Sequence, residues 1–242
     1  MQKIFGRKPV FEALKSKSKI DQIYIQYGLH GSIIDQIKKL AKQSNIKVTQ
    51  LSPQKFNQYA DDQNTQGIIA LKSSFNYSGL DDILIAAEKT KFPLLLLLDS
   101  IQDTHNLGAI IRTAECAGVD GIITTIKNSA SVNNTVEKTS AGATSHVKIA
   151  QVNNLVNTID ILKQSGYWIV GSKLGKSQNY TSIDYKQPIA IVMGNEEKGI
   201  RHLVAEKCDF LAEIPMKGKI QSLNVSVASG ILLFEVLRQR NS

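Results

Sequence analysis

The sequence predicts an α/β protein in two parts: a larger parallel-sheet domain, preceded by a small α/β unit. Two observations carry this. From Pro93 onward, short apolar runs alternate with segments of helical periodicity, the pattern of successive βα units. Before that point, Ser73-Ser74-Phe75-Asn76-Tyr77-Ser78-Gly79 is polar and turn-rich, which marks a linker. The reading divides the chain into a small unit over 1–75, a linker and connecting helix over 76–91, and the larger domain over 92–242.

In the first unit, Pro9 suits a helix first turn, and Val10, Ala13 and Leu14 share a face, so a short helix is expected there. Ile23-Tyr24-Ile25 is β-rich. Ile33, Ile34, Ile37, Leu40 and Ala41 have helical spacing, and 46–51 alternates as a strand does. Ser52-Pro53 reads as an N-cap followed by proline at the first helical position, before a last β run over 68–71. The result is a compact αβαβαβ unit.

The larger domain takes a strand over 94–98, a helix over 106–116 and a strand over 121–125. A helix from about Val132 then leads to a strand over 147–150, a helix over 155–164 and a strand over 168–171. Further strands over 189–193 and 210–214 flank a helix over 200–207. Pro215 stops the last strand because it lacks an N–H for the ladder, Gly218 suits a turn, and Val225, Ala228, Leu232, Phe234 and Leu237 begin a terminal helix. Either Ser222 or Asn224 can cap that helix, with Arg238 and Arg240 near the end where cations suit the dipole. Parallel sheets of this kind bind ligands at the carboxyl ends of their strands.

Composition narrows the function classes. The formal net charge is +8, and residues 1–75 hold twelve Lys or Arg against five acids, a net of +7. A field so lopsided attracts a polyanion, and a nucleic-acid backbone fits it, although a merely solvated basic surface fits it too. Cys116 and Cys208 lie far apart without CxxC spacing, so neither a disulfide framework nor a metal site is indicated. The N-terminal stretch lacks the apolar core of a signal peptide, and the longest apolar run, over 94–98, is too short to span a bilayer. A cytoplasmic location is expected. Gly171-Ser172-Lys173-Leu174-Gly175-Lys176-Ser177 has three residues between its glycines where a phosphate loop needs four, and no GxGxxG occurs.

Three stretches carry the chemistry: Asn106-Leu107-Gly108-Ala109-Ile110-Ile111-Arg112-Thr113-Ala114, Ile191-Val192-Met193-Gly194-Asn195-Glu196-Glu197-Lys198-Gly199-Ile200-Arg201, and the run from Ile214 through Met216, Ser222 and Asn224 into the terminal helix. In this order they resemble the three motifs of the SpoU/TrmH branch of the SPOUT RNA methyltransferases, and the match runs from Pro93 to Arg240. The small unit resembles the substrate-binding domain that precedes the methylase in rRNA-modifying members, itself similar to a ribosomal-protein fold.

The resemblance implies an S-adenosylmethionine-dependent 2′-O-ribose methyltransferase, with the cofactor held in a C-terminal trefoil knot at a homodimer interface. It implies that Gly194, Ile214 and Leu223 hold the cofactor, with Met193 and Met216 adding apolar contact, and that Asn106, Arg112, Glu196, Ser222 and Asn224 form the catalytic set. Asn106 suits a helix cap with Arg112 reaching back or across a dimer. An arginine buried in so apolar a run would need an anion, either Glu196 or an RNA phosphate or developing alkoxide. Its high intrinsic pKa favours anchoring and charge stabilisation over proton abstraction. Glu196 would fix Arg112 or Asn106 or relay a proton, while His105 reads as a loop residue. The implied substrate is a guanosine ribose in 23S (large-subunit) rRNA; a tRNA guanosine, an rRNA adenosine, and an RNA-binding protein without chemistry are the competing readings.

Overall fold

The computed structural model describes every residue except 1, 17, 19, 45, 62, 73–74, 174–176, 196–197, 220–221 and 242. The chain divides into two compact units, Met1–Asn76 and Tyr77–Ser242.

The first unit is a four-stranded sheet with β1 (Gln2–Phe5), β2 (Ile20–Gln26), β3 (Lys47–Leu51) and β4 (Ile68–Lys72) in the order β1-β4-β2-β3. Side chains alternate between the two faces of the sheet with the period of two that strands impose. Ile23, Ile25, Ile68 and Ala70 face α1 (Arg7–Lys15) and α2 (Ser32–Gln43), which contribute Val10, Leu14, Ile34 and Ile37. Tyr24, Ile69 and Leu71 face the other way and pack on Phe56 of α3 (Pro53–Asn57). The unit is therefore βαβαβαβ, one strand more than the αβαβαβ expected. The extra strand has only two apolar residues, Ile4 and Phe5, and exists through antiparallel pairing with β4. Ser52 precedes α3 as expected but makes no side-chain cap bond.

The second unit holds α4 (Leu80–Ala87), β5 (Leu94–Asp99), α5 (Thr104–Cys116), β6 (Gly121–Thr125), α6 (Asn134–Thr139), β7 (Ile149–Val152), α7 (Leu155–Gln164), β8 (Trp168–Ser172), β9 (Gln178–Asn179), β10 (Ile189–Gly194), α8 (His202–Glu206), β11 (Phe210–Glu213) and α9 (Val225–Asn241). Its seven strands run in the order β7-β6-β5-β10-β8-β11-β9, and every pair is parallel. β5 is buried along its whole length, as a strand covered on both faces must be. On one face Leu95, Leu97, Ala190 and Val192 meet Ile83, Ile159, Leu162 and Val204 from α4, α7 and α8. α9 packs against β10 and α5.

The strand order fixes where a ligand can sit. β6 and β7 extend one side of β5, whereas β10, β8 and β11 lie on the other, so the topology reverses between β5 and β10 and opens a crevice at their carboxyl ends. Gly194 stands opposite Asp99 at that point.

The end of α9 is tied down by polar bonds, and this changes the role expected for its arginines. Arg240 donates to the carbonyls of Tyr185 and Gln187 at 3.0 Å each, so it clamps the loop before β10. Arg238 makes a two-pronged bond to buried Glu235 at 2.8 Å, which holds that carboxyl below the usual range. Among the described residues, no helix is long and apolar enough to cross a membrane.

Candidate functional site

The three motif segments meet at the carboxyl ends of β5, β10, β8 and β11. Asn106 lies in the first turn of α5, but the cap of that helix is Asp103, whose Oδ1 accepts the Asn106 backbone N–H at 2.7 Å. The expected capping role for Asn106 is therefore taken by the aspartate three residues earlier, and the Asn106 side chain is released for another bond. It accepts from Asn224: Nδ2 of Asn224 donates to Oδ1 of Asn106 at 3.0 Å.

Asn224 directly precedes α9 and caps it. Its Oδ1 accepts from the Ser226 N–H at 2.8 Å and from the Ser226 hydroxyl at 2.6 Å. Of the two expected cap residues, Asn224 takes the position. One amide thus uses its oxygen to start α9 and its nitrogen to reach α5.

Gly108, two residues after Asn106, allows α5 to touch α6: a Cβ there would meet Cβ of Thr139 at 2.6 Å. Arg112 follows on an exposed face of the helix. The burial that would demand a structural carboxylate does not arise, and among the described residues no carboxylate pairs with it. The anion expected to face Arg112 is not found among the described residues. Glu196, the proposed partner, lies outside the described residues. His105 is exposed beside Asn106.

The second motif forms a tight loop. Asn195 and Gly199 exchange backbone hydrogen bonds of 3.1 and 2.8 Å, and Gly199 has φ of 65°. A Cβ on Gly194 would collide with the main chain of Gly199 and Ile200. The glycine is required by the loop's own return across the strand end.

Two residues that the sequence reading passed over hold this loop. Asp99 is fully buried at the end of β5 and accepts from Arg201 twice, from Nε at 2.6 Å and from the backbone N–H at 2.9 Å. Asn195 Nδ2 donates to the carbonyl of Ser100 at 3.2 Å, and Ser100 itself is in the left-handed region at φ of 67°. The loop over 195–201 is fastened to β5 at both ends. A charged residue closing an all-leucine strand, Leu94-Leu95-Leu96-Leu97-Leu98-Asp99, was the readable signal, because a buried carboxylate needs a partner.

A pocket of about 420 Å³ opens beside this loop, within the size range of small-molecule sites. It brings together Met193, Gly194, Ile214, Met216, Leu223 and Ser222, that is, all five residues expected to hold the cofactor and one of the catalytic set. β11 ends at Glu213, one residue short of the expected boundary, which leaves Ile214 in the loop and free to form a wall. Asn106 and Arg112 are not among the lining residues. Apolar walls with exposed backbone at strand ends can hold a purine and its thioether tail, so the site fits S-adenosylmethionine. Among the described residues there is no cluster of three or more His, Cys, Asp or Glu that could hold a metal.

Comparison with known proteins agrees with this geometry. A model of the SpoU rRNA methylase family matches residues 93–234, and a model described as RNA 2′-O ribose methyltransferase substrate binding matches residues 3–78. A Bacillus subtilis protein assigned by name to the TrmH family of tRNA/rRNA methyltransferases is 38% identical over 239 residues, covering 98% of this chain and 96% of its own. The AdoMet-bound rRNA methyltransferase from Sinorhizobium meliloti superposes with a TM-score of 0.61 at 28% identity, over 98% of this chain and 86% of its own. The TrmH/SpoU tRNA-modifying enzyme of A. aeolicus is 36% identical with a TM-score of 0.59, but covers 67% of this chain and 82% of its own.

Proposed function

This chain belongs to the SpoU family of S-adenosylmethionine-dependent RNA 2′-O-ribose methyltransferases, and from that premise we propose that it methylates the ribose of a guanosine in 23S rRNA. The observation that carries the reading is the Asn224–Asn106 bond of 3.0 Å, which joins the first and third motifs, Asn224 standing between the pocket residues Leu223 and Val225. Support for rRNA comes from the first unit, which matches the substrate-binding model over 3–78 and carries nearly all of the chain's net positive charge. The tRNA-modifying relative matches over only 67% of this chain.

When bound, S-adenosylmethionine supplies a methyl group activated by a sulfonium. The chain's own part is to place a ribose hydroxyl in line with it and to stabilise the charge that develops on oxygen. Arg112, permanently charged and exposed, anchors the substrate phosphate and faces the developing alkoxide. Asn106 and Asn224 orient the ribose, and Ser222 in the pocket wall closes the cofactor loop. Glu196, whose placement lies outside the described residues, fixes Arg112 or Asn106.

The active form is a homodimer, with Arg112 reaching a site shared between subunits. What supports this is the apolar strip of Val227, Ile231 and Phe234 on α9, where Val227 is 51% and Phe234 47% exposed although the helix also buries Leu232, Leu233 and Val236. The trefoil knot belongs to the same reading, supported by the return of the 194–200 loop across its own strand end and by α9 packing on α5.

The test is mass-spectrometric mapping of 2′-O-methyl nucleotides in rRNA and tRNA from cells with and without this protein. Loss of one 2′-O-methylguanosine from 23S rRNA is expected; loss confined to tRNA would overturn the substrate while leaving the reaction. For the dimer, Phe234→Asp should yield a monomer by light scattering, and a dimer unaffected by that change would refute the interface.

A further inference from the structure

The pocket contains a charge pattern that its ligand must answer. Among its described lining residues are two lysines, Lys173 and Lys198, and no carboxylate. Both are exposed, and neither forms an ion pair with any described residue. The ligand is itself largely cationic: S-adenosylmethionine carries a sulfonium, an ammonium and only one negative group, its α-carboxylate. Two cations in the wall would repel it unless that carboxylate is the part brought to them.

The strand order shows how the two lysines come together. Lys173 follows β8, Lys198 lies in the loop after β10, and these strands are parallel neighbours in register from Trp168↔Ile189 to Gly171↔Val192. At the lysines' strand ends the wall offers Ser172 and Asn195 beside Met193 and Ile200, whereas after β11 and at the start of α9 it is mostly apolar, with Ile214, Met216, Leu223, Val225 and Ala228 around Ser222. A purine belongs on the apolar side, which leaves the amino-acid tail at the lysines. RNA phosphate is the other anion near this site, but the residues assigned to substrate, Asn106 and Arg112, lie outside the pocket lining.

We propose that Lys173 and Lys198 form an anion subsite that receives the α-carboxylate of the cofactor's methionine half. The inference rests on the cofactor reading above, and its test separates the two. Titration calorimetry compares S-adenosylhomocysteine, which keeps the carboxylate, with 5′-methylthioadenosine, which lacks the whole amino-acid tail. In the double variant Lys173→Ala/Lys198→Ala, the dissociation constant for S-adenosylhomocysteine should rise about tenfold, the sum expected of two partly solvated charge pairs. Binding of 5′-methylthioadenosine should stay within about twofold, which also reports an intact pocket. Lys173→Arg/Lys198→Arg should restore most of the loss, and raising salt should weaken the first ligand but not the second.

Equal losses for both nucleosides would overturn the proposal by making the lysines structural. Unchanged S-adenosylhomocysteine affinity with weakened RNA binding would overturn it in favour of a phosphate contact. If the unmodified protein bound neither nucleoside, the cofactor reading itself would fail.

Discussion

Asn224 and Asn106, 118 residues apart, share a hydrogen bond of 3.0 Å in which Asn224 is the donor. The direction is set at Asn224, because its oxygen is already committed to Ser226 at the start of α9, so only its nitrogen can face Asn106. Replacing Asn224 by Asp keeps the oxygen that caps the helix and turns the donor into a second acceptor aimed at Asn106 Oδ1. Asn224→Asp should therefore stay within about 1 kcal/mol of the parent stability, since Asp and Asn cap about equally well. Turnover should fall about a hundredfold through misplacement of the ribose contacts. Thermal unfolding together with a methyl-transfer assay reads both; parental turnover in this variant would remove the amide pair from the mechanism.

Arg112 predicts a different split. It is exposed and bonded to no described residue, so its loss should leave the fold within about 0.5 kcal/mol, the range of ordinary surface changes. Affinity for S-adenosylhomocysteine should also hold, because Arg112 does not line the pocket. Methyl transfer should fall by about two to three orders of magnitude, as on removal of a charge-stabilising donor. Arg112→Lys should rescue poorly, since a planar fork and a point charge bind phosphate differently. A large drop in melting temperature for Arg112→Ala would show the guanidinium to be structural.

The parallel sheet was readable from Leu94 onward because each buried strand is an apolar run closed by a turn, and the strand 189–194 or the helix 155–164 needs nothing from elsewhere to announce itself. β1 and β9 were not readable. Their residues, Gln2-Lys3-Ile4-Phe5 and Gln178-Asn179, become strands only through partners distant in sequence. At the site, the helix start was legible in Asp103, which fits an N-cap better than Asn106 does, because its carboxylate lies three residues before the N–H it accepts. The meeting of Asn106 with Asn224 was not legible from spacing at all, since it depends on the sheet's reversal between β5 and β10. Only the resemblance to a known family put those residues in one place.

The two cysteines should respond oppositely to a thiol reagent. Cys116 is exposed on α5. Cys208 is packed so closely that a Cβ on Gly171 would lie 2.7 Å from its sulfur, and burial, with Asp209 adding to it, pushes its thiol up to about 12. Since the thiolate is the reacting species, at pH 8 only on the order of one Cys208 in ten thousand is reactive. Ellman's reagent should label one thiol per folded chain at once and the second only on unfolding. Rapid labelling of both would mean that α8 does not stay packed on β8.

Asp99 and Arg201 make an asymmetric pair, because the carboxylate is fully buried while the arginine side chain is 52% exposed. Removing Asp99's charge frees an arginine that can turn to water. Removing Arg201 instead strands a negative charge in the core, with only the backbone N–H of residue 201 and the Ser100 hydroxyl left to it. Arg201→Ala should cost about 3 kcal/mol or more, and Asp99→Asn distinctly less. The double variant should be more stable than Arg201→Ala alone, which is the non-additivity expected of groups in contact. Denaturant midpoints of the three variants check this, and a milder Arg201→Ala than Asp99→Asn would contradict a charged, buried Asp99. Because this pair fastens the loop that carries Gly199 and Ile200 into the pocket wall, affinity for S-adenosylhomocysteine should fall in the same order as stability.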